Sequence, residues 1–117
     1  MLSEGVAAKF MRYVQVDTTS AEDSAEVPST PGQWELARML ADELTLLGLL
    51  DVEVDEHCFV VGRLPSNMDR PVPAVGFVAH MDTVPGVPGR SVTPRVHQTY
   101  PGGDISVGPG LILRPRE

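Results

Sequence analysis

The sequence predicts an α/β chain in which two helices precede the strands of a mixed sheet, and three patterns point there. Apolar residues recur at helical spacing over residues 2–16 and again over 34–47. Residues 51–55, DVEVD, alternate strictly between acidic and apolar, the period of a strand with one buried face. Residues 72–78 form an apolar run that ends, two residues on, in the polar pair His80 and Asp82.

The totals limit what such a chain does. A length of 117 residues suits one domain, but 42% hydrophobic content and a last third poor in long apolar runs predict an incomplete one. Nine basic against sixteen acidic residues leave a net charge of −7, which opposes binding to nucleic acid or anionic membrane. Lys9 is the only lysine, and the arginines form no cluster that would grip phosphates. Cys58 is the only cysteine, so neither an intrachain disulfide nor a thiolate metal cluster is available. The first residues lack the charged and apolar regions of a secretory leader, and no apolar stretch is long enough to span a bilayer. The expected location is the cytoplasm.

The first helix places Leu2, Val6, Phe10, Tyr13 and Val14 on one face for core packing. Asp17, Thr18, Thr19 and Ser20, small polar residues that favour turns, should end it. Residues 21–27 read as an acidic, solvated loop. Thr30-Pro31-Gly32-Gln33 signals the second helix, with a capping threonine, proline at the first helical position and glutamine three residues past the cap. Its predicted inner face carries Trp34, Ala37, Leu40, Ala41, Leu44 and Leu47, its outer face Glu35, Arg38, Asp42 and Glu43, and Gly48 stops it. Residues 51–55 and 58–64 predict a pair of strands. His57 and Cys58, between them, read as a surface or packing histidine and a small core residue rather than as a ligand and a nucleophile.

Residues 65–73 form a turn-rich loop leading into the 72–78 run, which lacks alternation and is therefore expected as a central strand covered on both faces. In open α/β sheets the ligand crevice lies at the carboxyl ends of the strands, where His80 and Asp82 would emerge. Residues two apart in extended chain share a face, and a carboxylate beside an imidazole is a common half of a zinc site. From residue 85 onward, twelve of the twenty-two glycines and prolines predict loop with short extended pieces. His97 lies in this loop, Gly102-Gly103-Asp104 reads as a tight turn, and the Leu111-Ile112-Leu113 triplet has no evident packing partner.

Several stretches resemble the zinc-dependent aminopeptidases of the peptidase T type, within the dizinc exopeptidases and deacylases. They are YVQVDTTS at 13–20, VPSTPGQW at 27–34, GFVAHMDT at 76–83 and YPGGDI at 100–105. The resemblance implies the N-terminal part of a zinc-exopeptidase catalytic domain over residues 1–117, loop-rich from 85 to 117, without the inserted smaller domain or the rest of the catalytic domain. It implies removal of the N-terminal residue from tripeptides at a centre of two Zn2+ ions. His80 matches a zinc ligand, and Asp82 matches the aspartate that orients it and is counted as catalytic. The bridging aspartate, the paired glutamates and the later ligands of such enzymes have no counterpart within these residues. One histidine does not hold catalytic zinc, so the chain alone is expected to be inactive. The alternatives are another dizinc carboxypeptidase or amide deacylase, or a non-catalytic truncated product that acts only by association.

Overall fold

A computed structural model describes residues 5–115. The elements are helices α1 (Val6–Tyr13) and α2 (Pro31–Leu46), then strands β1 (Leu50–Val54), β2 (Val60–Arg63), β3 (Ile105–Gly108) and β4 (Leu111–Leu113). The sheets differ from expectation: in place of a mixed sheet, β1 pairs with β2 and β3 with β4, each antiparallel and two-stranded. Parallel pairing among the described residues is confined to one isolated bridge, Thr19 with Thr83.

Helix α2 starts where its signals put it, with Thr30 extended and Pro31 in the first turn, and ends before Gly48, whose φ of 85° suits a residue without a Cβ. The capping chemistry differs from the motif. The Thr30 hydroxyl donates to the Thr19 carbonyl at 2.9 Å, and the Gln33 amide reaches the Thr18 carbonyl at 3.4 Å and Ser29 Oγ at 3.2 Å. The helix start is thereby tied to the 18–19 segment rather than closed on itself. Gly32 belongs to the same junction: a Cβ there would lie 1.8 Å from the Asp17 carbonyl oxygen.

Helix α1 is shorter than its apolar pattern, and Leu2 lies outside the described residues. It buries no residue; Val6 and Phe10 are exposed, contrary to the expected apolar face. The helix docks instead through polar groups on Glu43, which sequence had placed on the outer face of α2. That carboxylate, only 12% exposed, receives Lys9 Nζ at 2.8 Å, an Arg12 guanidinium nitrogen at 2.5 Å and the Tyr13 hydroxyl at 2.5 Å. Burial pushes the Glu43 carboxyl up, but these three donors outweigh it and bring the value down to about 2.

The β1–β2 hairpin packs on α2. Its turn is organised by Asp55, whose Oδ1 accepts from the backbone N–H of His57 at 2.9 Å and of Phe59 at 2.8 Å. The core is small, comprising Val16, Leu36, Ala37 and Cys58 with the buried polar residues Thr18 and Gln33. Leu47, expected inside, is exposed. The radius of gyration is 17.8 Å, against about 13 Å for a close-packed chain of this length.

Two further expectations change. Residues 72–78 do not form a covered central strand: the segment joins neither sheet, and Phe77 and Val78 are 96% and 99% exposed. An apolar run becomes a buried strand only when neighbours pair with its backbone, and neither hairpin does so. The short extended pieces expected in the 85–117 region are the strands β3 and β4; what changes is the 111–113 triplet, expected without a packing partner, which pairs with Ile105, Ser106 and Gly108. No helix among the described residues is long and apolar enough to cross a membrane.

Two outcomes test this architecture. Gly32→Ala, normally neutral or favourable within a helix, should lower stability by about 1–3 kcal/mol because the methyl meets the Asp17 backbone; an unchanged thermal midpoint would contradict the contact. Glu43 has its folded pKa below its ordinary value of 4.5, so its stabilisation is complete above that value and lost as pH falls toward about 2. Urea unfolding followed by circular dichroism should show this acid weakening in the native chain and much less of it in Glu43→Gln.

Candidate metal centre

The site is assembled where residues 17–20 meet residues 80–83. Thr83 N–H donates to the Thr18 carbonyl at 3.2 Å and Ser20 N–H donates to the Thr83 carbonyl at 2.9 Å, the two bonds of the parallel bridge. Residues 17–20 are themselves held in a turn. Asp17 Oδ1 accepts from the Thr19 N–H at 3.2 Å and the Thr19 hydroxyl at 2.7 Å, while Arg90 lies 3.7 Å from Oδ2. The Thr19 hydroxyl and N–H, ahead of Arg90, keep the Asp17 carboxyl below its ordinary range. Gly89 passes so close that a Cβ there would lie 2.6 Å from Thr19 Oγ1.

The structure brings His80 and Asp82 together. His80 Nδ1 is 2.8 Å from the Asp82 carbonyl oxygen and 3.0 Å from Asp82 Oδ1. Both neighbours of Nδ1 accept hydrogen bonds, so that nitrogen carries the proton in the neutral ring and Nε2 keeps a free lone pair. The ring is 84% exposed. The other carboxylate oxygen, Oδ2, accepts the Ser20 hydroxyl at 2.5 Å. Ser20 foremost and His80 next hold the Asp82 carboxyl below its ordinary range, against a smaller upward push from burial. The pair lines an open groove of about 900 Å³ whose other walls include Gln33, Phe59 and Phe77.

These residues suit one corner of a zinc centre. A neutral imidazole with a carboxylate behind it presents a single oriented donor nitrogen. They do not make a complete donor set, because no group of three His, Cys, Asp or Glu side chains able to hold a metal occurs among the described residues. His57 lies in the β1–β2 turn and lines the same groove, 4.0 Å from Asp55 Oδ2. Cys58 is buried, and burial foremost pushes its thiol pKa up. His97 is exposed, and Asp104 lies 3.9 Å from Arg114 across the second hairpin. Ser20 is the contact that sequence reasoning missed; its position within the polar run 17–20 signalled only a helix end.

No established family profile matches the chain. Curated relatives do. Peptidase T of Geobacillus kaustophilus is 44% identical over 118 aligned positions, covering 99% of this chain and 29% of that protein. Peptidase T of Vibrio cholerae is 47% identical over 107 positions, covering 92% and 26%. Peptidase T of Listeria innocua is 43% identical, covering 99% and 29%. The chain therefore spans little more than a quarter of the length of the relatives it matches. Over nearly all of its own residues, this chain is a sequence relative of peptidase T.

Proposed function

We propose that this chain is the N-terminal portion of the catalytic domain of a cytoplasmic, zinc-dependent tripeptide aminopeptidase, and that it contributes His80 as a zinc ligand with Asp82 as its orienting partner. The observation that carries this reading is the contact of His80 Nδ1 with Asp82, which turns Nε2 outward, in a chain 43–47% identical to peptidase T over nearly all of its length. The solvent-facing Phe77 and Val78 support it as well, since apolar side chains of this kind are what the remaining domain of such an enzyme would cover.

Zinc held with His80 as one of its ligands would supply Lewis-acid polarisation of a scissile carbonyl. The residues of this chain have a preparatory part in that chemistry. Asp82 holds the ring in the tautomer that can ligate, and its negative charge raises the basicity of the donor nitrogen. Catalytic zinc generally takes three protein ligands and water, so His80 by itself gives no peptidase.

In a full-length enzyme containing these residues, His80→Ala should lower zinc content and abolish tripeptide hydrolysis. Asp82→Asn should weaken zinc affinity about 10- to 100-fold. Unchanged zinc content and turnover in His80→Ala would overturn the assignment. Faster hydrolysis of dipeptides or N-acyl amino acids than of tripeptides would place the chain with another class of dizinc hydrolase.

A further inference from the structure

We infer that Ser20 is a positioning residue for His80, acting through Asp82; this rests on the reading of His80 as a ligand. The inference comes from how the Asp82 carboxylate divides its two oxygens. Oδ1 faces His80 Nδ1 at 3.0 Å and Oδ2 accepts the Ser20 hydroxyl at 2.5 Å. A carboxylate bound to the ring alone would be free to turn about its side-chain torsions, since it is about half exposed. Bound at both oxygens, it has one orientation, and together with the Asp82 carbonyl, 2.8 Å from the same nitrogen, it aims the ring.

Ser20 is well placed to act as the fixed end of this chain of contacts. Its N–H bonds the Thr83 carbonyl, so its backbone is tied to the residue that follows Asp82. The next residue, Ala21, donates its N–H to Ser29 Oγ at 3.1 Å, and Thr30 and Gln33 hold the Thr18 and Thr19 carbonyls from the start of α2. The Ser20 hydroxyl thus carries the rigidity of the α2 terminus to an otherwise exposed histidine. Second-sphere partners of metal-bound histidines typically work this way, by fixing tautomer and ring direction.

The test uses the intact 117-residue chain without metal, at about pH 8, where imidazole is ordinarily neutral. Long-range proton–nitrogen NMR reads the ratio of Nδ1–H to Nε2–H tautomers of His80. Ser20→Ala should lower that ratio roughly fivefold, as expected for loss of about one hydrogen bond, while Ser20→Thr, which keeps a hydroxyl, should restore it. An unchanged ratio in Ser20→Ala overturns the inference. Asp82→Ala, which removes both side-chain oxygens, separates the two levels: if it shifts the ratio and Ser20→Ala does not, the pairing of His80 with the Asp82 carboxylate stands and the role of Ser20 fails. If neither shifts it, the Asp82 carbonyl fixes the tautomer without the carboxylate, and the inference fails. Failure of Ser20→Thr to restore a ratio lost in Ser20→Ala also counts against the hydroxyl's role.

Discussion

The parallel bridge between Thr19 and Thr83 is the constraint on which the site depends. His80 and Asp82 sit on a segment that joins neither hairpin, and the residues before them are open to solvent. Two backbone hydrogen bonds and the Ser20 hydroxyl hold this segment against the body of the chain. The other side of the bridge is secured by the start of α2, where Thr30 and Gln33 bind the carbonyls of residues 18 and 19 and Gly32 leaves room for the Asp17 carbonyl. The start of a helix therefore indirectly sets the position of a histidine some fifty residues later, through the Thr30 and Gln33 side chains on one side and the backbone bonds of the bridge on the other.

The arrangement also explains which polar groups are strongly satisfied. Glu43 receives three donors and joins α1 to α2, so a helix with no buried residue is still attached. Asp17 receives two donors from Thr19 and shapes the turn, while Asp55 receives two backbone N–H groups and shapes the β1–β2 connection. With so small an apolar core, carboxylates that collect several hydrogen bonds take on much of the work of fixing local geometry.

Local signals were legible in the sequence and non-local ones were not. Pro31 and Gly48 mark the two ends of α2 because each acts through its own backbone torsions, and the alternation at 51–55 marks β1 because it reflects a two-residue period. The His80–Asp82 pair was readable for the same reason, being two residues apart. Ser20 was not, since it meets Asp82 from 62 residues away. Nor was the inward role of Glu43, which helical periodicity alone assigns to solvent. The 72–78 run shows the opposite limit: its composition records a preference for burial, whereas strand formation requires a paired neighbour, and the chain's other strands pair with one another instead. The 111–113 triplet shows no partner in sequence because that partner, β3, precedes it across a turn of glycine and proline and carries only a weak apolar pattern of its own.

Amide hydrogen exchange at Thr83 and Ser20, measured residue by residue in the intact chain, tests the central constraint most directly. The bridge predicts that both amides exchange slowly while those of Phe77 and Val78, which pair with neither sheet, exchange at rates close to those of an unstructured peptide. Rapid exchange at both Thr83 and Ser20 would contradict it, for His80 and Asp82 would then have no backbone anchor to the start of α2.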